Sequence, residues 1–189
     1  DGTPDASFDG DGTLVIAHRD AADVVTGLET IAAAVLQDDG KLLVTGTSAD
    51  RGFTAMRFNA DGSRDTGFGL NGRRTVKFSE EGSYDEPAAL TVQADGRIVL
   101  AGYVTSDSAR MDADFGVARL LPDGSVDAEF GDDGRVTYPL SQLEDAARAV
   151  AVVAGGGIVA AGFGYQHALG LTDMAFLRLQ GDSRLFKDG

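Results

Sequence analysis

A twelve-residue segment that occurs three times is the feature that most constrains the fold of this chain. Every copy begins with Asp-Gly, has a second aspartate at its fifth position and a phenylalanine at its eighth, and ends on a glycine. The copies span residues 1–12, 61–72 and 123–134. Their phenylalanines are 60 and 62 residues apart. This regular spacing indicates that one structural unit is repeated in tandem.

Two further segments recur inside each unit, in the same order and at similar offsets. One ends on a glycine, and its copies span residues 35–46, 91–102 and 151–162. The other ends on an arginine, which is Arg57, Arg119 or Arg178. We therefore divide the chain into three units, residues 1–60, 61–122 and 123–180. The tail, residues 181–189, resembles the start of a further unit.

Each unit holds four short apolar segments bounded by Gly, Asp or Ser, which is the pattern of β-strands. In the second unit they are Arg74–Phe78, Ala88–Gln93, Arg97–Val104 and Phe115–Leu121. Asp-Gly lies between the second and third segments at residues 39–40 and 95–96, and predicts a hairpin turn with positive φ at both residues.

Four antiparallel strands in each of three tandem units predict an all-β fold of β-propeller-type blades, three in the chain. The alanine-rich stretch of the third unit leaves one alternative open, because a short helical turn could lie at Gln142–Ala147.

The repeated motifs resemble the bacterial delta-60 repeat family. They read Gln-x-Asp-Gly-(Lys/Arg), a following arginine, and Asp-Gly-Ser-x-Asp-x-x-Phe-Gly-x-x-Gly, and three copies cover nearly the whole chain. The third copy departs from the motif at Val153 and Gly155, which replace the glutamine and the aspartate. The resemblance implies a propeller-forming protein, mostly secreted or surface-exposed, with no settled activity.

The last residues, Arg184–Gly189, resemble a C-terminal ending of exported proteins of some Gram-negative bacteria. From this likeness and the repeat family we expect a protein that is secreted or displayed on the cell surface, in a Gram-negative bacterium.

Composition excludes several functional classes. The chain has no cysteine, so it can form no disulfide, thiolate zinc site or cysteine nucleophile. Its formal net charge of −14 argues against nucleic acid or an anionic membrane as a partner. Its apolar runs are too short to span a bilayer, so we expect no membrane insertion. The sequence has no phosphate-binding glycine loop and no Gly-x-Ser-x-Gly motif, and we expect no enzymatic activity.

An array of three blades is expected to require further sheets that cover its exposed faces. Propellers usually close with about four to eight blades, and a shorter array leaves apolar sheet faces exposed. The chain could be part of a longer array, form a six-bladed ring by two-fold symmetry, or stack head to tail into a fibre. We expect self-association into a homo-oligomer or fibre, and a structural or adhesive role.

Charged residues that recur in every unit predict a structural clamp rather than a ligand site. A planar guanidinium suits bidentate binding of a carboxylate and would tie a strand to the loop that follows it. The clamp residues are Asp5, Asp65, Asp127, Arg57, Arg119 and Arg178.

A calcium site is a further prediction, made on the aspartates of the repeated turn. Counted from Asp9, the segment fails the EF-hand register because Leu14 replaces the required glycine. A looser site would use Asp9, Asp11 and Asp133, with turn carbonyls as additional ligands. The alternative is that these residues only stabilise turns.

The loops between strands are the best places for specific binding, because they change without harming the core. A glycan or another surface ligand could bind there, with Tyr84, Tyr103 or Tyr165 stacking on a sugar ring. Two alternative functions follow: a calcium-dependent carbohydrate-binding module, or a propeller hydrolase or lyase with an acidic channel mouth. The two histidines, His18 and His167, form no triad or metal-ligand spacing and are expected to be exposed.

Overall fold

The computed structural model of the protein describes residues 2–16, 28, 30–79, 84–105, 112–141, 143–166 and 171–181. Those residues form eleven β-strands in three antiparallel sheets. The first sheet has the strands β1 Ala33–Leu36, β2 Leu42–Gly46, β3 Phe53–Phe58 and β4 Arg73–Val76. The second has β5 Glu86–Val92, β6 Ile98–Val104, β7 Asp114–Leu120 and β8 Arg135–Tyr138. The third has β9 Asp145–Val152, β10 Ile158–Gln166 and β11 Leu171–Leu179.

The all-β prediction is confirmed, and each sheet is an antiparallel meander in chain order. The helical alternative is wrong for Asp145–Ala147, which begin β9, whereas Gln142 lies outside the described residues. In the part of the chain that the structure describes, no helix has the length and apolar character needed to cross a membrane.

The sheets are out of phase with the sequence units by one strand. Strand β4 belongs to the second unit but pairs with β3 of the first sheet, and β8 of the third unit pairs with β7 in the same way. The repeated segments 61–72 and 123–134 are therefore the loops that lead into the last strand of the preceding sheet. In the first unit the residues aligned with β4 and β8 are 13–16, and the structure assigns them to no strand.

The hairpin turns differ from the prediction in one respect. Gly40 has φ of 80°, but Asp39 does not have positive φ. The turn is closed by two hydrogen bonds, from Gly40 N to Gln37 O and from Gln37 N to Lys41 O. This is the three-residue hairpin loop, a type I turn followed by a left-handed glycine, so only the glycine has positive φ.

The sheets stack face to face through two apolar clusters. Residues such as Leu43 and Phe53 of the first sheet pack against Ile98 and Leu100 of the second. The opposite face of the second sheet packs against the third through residues that include Val99, Phe115, Val117, Ile158 and Leu177. The second sheet is therefore buried on both faces, which explains why β6 and β7 are apolar almost throughout.

A repeated glycine lets the first two strands of each sheet approach closely. Its copies are Gly46, Gly102 and Gly162. A Cβ at Gly102 would overlap the carbonyl oxygen of Glu86 on β5. One at Gly162 would overlap that of Ala146 on β9, and one at Gly46 would overlap that of Thr30, just before β1. The register shifts next to this position in the second and third sheets. The glycine is thus required by the backbone packing of a β-bulge.

Gly102→Ala is expected to destabilise the protein by about 2–3 kcal/mol, because the methyl group would displace backbone rather than a flexible side chain. Gly67→Ala is the control, since a Cβ there would be in ordinary contact with the nearest atom, 3.4 Å away on Asp65, and Gly67 does not have positive φ. Urea unfolding followed by circular dichroism measures both. Equal effects of the two substitutions would contradict the close-approach explanation.

Candidate functional site

Two arginine–aspartate pairs tie the third strand of a sheet to the loop that follows it. Arg57 Nε donates to Asp65 Oδ2 over 2.7 Å, and Arg119 Nε donates to Asp127 Oδ2 over 2.7 Å. The Arg119 and Asp127 side chains are only 2% and 3% exposed. In both pairs the aspartate follows the arginine by eight residues, so the pair closes the turn between β3 and β4 and between β7 and β8.

A second cation joins each carboxylate from the hairpin between the first two strands. Lys41 Nζ is 3.0 Å from Asp65 Oδ2, and Arg97 Nε is 3.1 Å from Asp127 Oδ2. Burial alone raises the pKa of the Asp65 carboxyl, but hydrogen bonds from Lys41 and Arg57 outweigh it and hold that pKa below its ordinary value. One carboxylate thus joins three parts of a sheet: the hairpin, the third strand and the incoming loop.

The same loop places a phenylalanine ring against the arginine. The guanidinium of Arg57 lies 4.6 Å from the ring centre of Phe68, and that of Arg119 lies 4.6 Å from the ring centre of Phe130. Both rings are buried in the clusters between sheets. The repeated Asp-x-x-Phe therefore binds one arginine twice, once by charge and once by ring stacking.

The remaining clamp residues, Asp5 and Arg178, are not brought together. Asp5 is exposed and accepts hydrogen bonds from the backbone nitrogen and the hydroxyl of Ser7, at 2.9 and 2.7 Å. Arg178 is exposed on β11. It lines a cleft of about 630 Å³, whose other lining residues are Ala154, Gly155, Gly157, Leu179, Gln180 and Gly181.

The aspartates of the predicted calcium site hold turns. Asp9 and Asp133 have φ of 49° and 52°, and Asp11 accepts hydrogen bonds from the backbone nitrogen and hydroxyl of Thr13, at 2.8 and 2.7 Å. Among the residues that the structure describes, no group of three or more His, Asp or Glu could hold a metal ion. Calcium binding by these aspartates stays a prediction.

Two buried aspartates, Asp85 and Asp145, are not among the residues that the sequence singled out. Asp145 is fully buried, and its Oδ2 accepts hydrogen bonds from the backbone nitrogens of Leu140 and Ser141 at 2.6 and 2.7 Å. Asp85 occupies the equivalent place in the second sheet and accepts from the backbone nitrogen of Phe78 at 3.0 Å. Both fix the chain where it enters the first strand of a sheet. Their common position in the repeat is the signal that could have identified them.

Two of the tyrosines proposed to stack on a sugar each have an arginine over one face of the ring. The guanidinium carbon of Arg51 is 4.2 Å from the ring centre of Tyr84, and that of Arg148 is 6.0 Å from the ring centre of Tyr103. A sugar would have to use the other face of each ring. His18 and His167 lie outside the described residues.

Two stretches of the sequence are similar to a known family. Residues 37–68 and 93–130 match the profile of a family described as a domain of unknown function (DUF5122) β-propeller. Each matched segment contains one complete clamp, Arg57 with Asp65 or Arg119 with Asp127. No curated protein matches the chain. The three antiparallel sheets and this match agree on propeller-type repeats.

Asp127→Asn is expected to cost about 3–5 kcal/mol of unfolding free energy, because it leaves the buried Arg119 guanidinium without its carboxylate. The matched control is Asp5→Asn at the equivalent exposed position, which should cost less than about 1 kcal/mol. Chemical unfolding in dilute solution compares the two variants. A cost for Asp127→Asn no larger than that of the control would contradict the clamp.

The Asp65 clamp also predicts a pH dependence. Because its folded pKa lies below the ordinary value of 3.8, the pair stabilises the protein above that pH and loses this contribution as the pH falls through the folded pKa. The stability gap between the wild type and Asp65→Asn should therefore be constant near neutrality and shrink below about pH 4. Exposed Asp38→Asn serves as the control for removal of one negative charge. A gap that is the same at pH 3 and pH 7 would rule the clamp out as its source.

Proposed function

We propose that the protein is a non-enzymatic structural or adhesive module of delta-60-type repeats, exported to the cell surface, which self-associates through the outer faces of its first and third sheets. The single observation that carries this proposal is an apolar surface on the third sheet. The equivalent surface is buried in each of the other two sheets.

Strand β11 provides that surface. Phe53 and Phe115 occupy the same position in the first and second sheets and are fully buried, but their counterpart Met174 is 85% exposed. Two residues further on, Val117 is fully buried and its counterpart Phe176 is 66% exposed. In the first two sheets these residues are covered by the following sheet, which predicts that another sheet also covers β11.

The outer face of the first sheet supplies a complementary surface. Val44, Met56 and Phe58 form an apolar cluster there that lies beneath Leu14 and Ile16 and is at most 5% exposed. A groove of about 230 Å³ runs along this cluster. Ile31, which lines the groove beside this cluster, is 67% exposed. Val44 aligns with Leu100 of the second sheet, which packs against the first sheet. The outer face of the first sheet therefore corresponds to the face that packs against a preceding sheet. The β11 face corresponds to the face that packs against a following sheet.

The two faces are different surfaces, so the contact between copies is head to tail. Such a contact forms a closed ring when the rotation between copies closes and a fibre when it does not. Burial of Met174 and Phe176 would contribute about 3–6 kcal/mol at about 1.5–3 kcal/mol for each side chain. The net charge of −14 leaves the remaining surface acidic, which favours solubility of the assembled material.

Phe176→Glu is expected to weaken assembly at least about tenfold, because one copy would have to bury a carboxylate at the contact. Leu70→Glu is the matched control, since Leu70 is also exposed, at 77%, but lies outside both faces. Light scattering across a range of concentrations should give masses above the 19.6 kDa of one chain for the wild type and the control. A wild-type protein that stays monomeric at every concentration would refute self-association.

A further inference from the structure

The first and second sheets each have a fourth strand, whereas the third has three within the described residues. We propose that residues 2–16 of a second copy of this chain bind the third sheet, with residues 13–16 as its fourth strand. This inference rests on the proposed self-association and specifies the donor segment, its register and its charge pair.

Residues 2–16, the donor segment, already contact the first sheet of their own chain in the way that residues 62–76 contact the second sheet. Asp9 N donates to Asp61 O over 2.8 Å, and the equivalent Gly69 N donates to Asp123 O over 2.7 Å. Residues 62–76 thus contact the second sheet and, through β4, complete the first. Residues 2–16 make the first of these two contacts, and no described residue pairs with 13–16 as a strand.

The turn inside the donor segment has the conformation of its two paired counterparts. Phe8 N donates to Asp5 O over 3.0 Å, and Gly12 N donates to Phe8 O over 2.7 Å. The same two hydrogen bonds occur around Phe68 and Phe130, with lengths of 2.8–3.0 Å. The segment is therefore preorganised, and binding does not have to pay for ordering this loop.

The acceptor site is the cleft beside Arg178. In the first two sheets the equivalent arginine contacts an aspartate eight residues later and a phenylalanine eleven residues later. At those offsets from Arg178 the sequence has Phe186 and Gly189 in place of the aspartate and the phenylalanine. A second copy provides both, as Asp5 and Phe8, so the acidic residue of one copy meets the basic residue of the other.

The register follows from the paired strands of the first sheet. Met56 is opposite Arg73 and Phe53 is opposite Val76. By repeat alignment, position 13 lies opposite Leu177 and Ile16 lies opposite Met174. This is strand addition to an exposed sheet edge, in which main-chain hydrogen bonds supply affinity and side-chain pairing supplies register.

One pair within this register suits a covalent test. Val15 is 92% exposed, and it aligns opposite Ala175. The equivalent pair in the first sheet is Thr54 and Thr75, whose hydroxyl oxygens are 2.9 Å apart. Side chains at positions 15 and 175 of two copies are therefore expected on the same face and in contact. The chain contains no cysteine, so an introduced pair has no competitor.

Charge exchange tests the ion pair. Asp5→Arg alone and Arg178→Asp alone each put like charges at every contact, and each should weaken assembly at least about tenfold. An equimolar mixture should recover it, because every contact in alternating copies then joins opposite charges. Light scattering measures the recovery, and circular dichroism shows that both variants are folded. Absence of recovery in the mixture would overturn the charge pair.

Cross-linking tests the register with separate chains. Val15→Cys mixed with Ala175→Cys should give a disulfide-linked dimer on a non-reducing gel. Val15→Cys mixed with Asp173→Cys, two residues out of register, should give far less. An intrachain disulfide in the double variant Val15→Cys/Ala175→Cys, with none between chains in the mixture, would show that residues 13–16 return to their own third sheet.

The two proposals fail in different ways. If the wild type assembles but the charge exchange does not restore it and the in-register cysteines do not cross-link, the donor segment is wrong and self-association stands. If the wild type is monomeric at all concentrations, both proposals fail. Assembly with restored charge exchange and in-register cross-links is the expected result.

Discussion

The first and second sheets of this protein are each completed by a segment of the next repeat unit, and an arginine–aspartate pair holds that segment in place. Arg119 and Asp127 show the pair in its most buried form, with Arg97 as a second cation on the same carboxylate. Because the pair joins residues on both sides of a unit boundary, one repeat unit cannot form a complete sheet without the next unit. The stability of one sheet then depends on the presence of its neighbour, as in other repeat proteins.

This overlap also explains how the sheets pack. The loop that carries Asp65 brings Phe68 into the cluster between the first and second sheets, and the loop of Asp127 brings Phe130 into the next cluster. The same segment therefore contributes the carboxylate of the ion pair, leads into the last strand of the sheet and places a ring in the interface between sheets. The remaining copies of these parts are separated, with Asp5 and Phe8 before the first sheet and Arg178 on β11. The proposed assembly brings these parts together across two copies.

Repetition made the strand content predictable but not the boundaries of the sheets. The spacing of Phe8, Phe68 and Phe130 defines a unit length, yet a periodic sequence can be divided at any point of its period. Strand β4 belongs to the preceding sheet because it pairs antiparallel with β3, a fact that pairing alone reveals. The hairpin prediction was correct about Gly40 and wrong about Asp39, because both turn types accept the same dipeptide.

The buried aspartates show where composition misleads. In an acidic chain Asp145 is indistinguishable from a solvated loop residue until the structure shows two backbone nitrogens donating to it. The clamp residues were identifiable because recurrence in every unit is typical of scaffold residues, and their partners follow from the constant offset of eight.

An electron cryomicroscopy map of the assembled protein tests the central claim most directly. We expect continuous density for a fourth strand beside β11, traceable to residues 13–16 of the neighbouring copy, with Asp5 of that copy next to Arg178. A map in which β11 remains an edge strand while the copies contact each other elsewhere would contradict it.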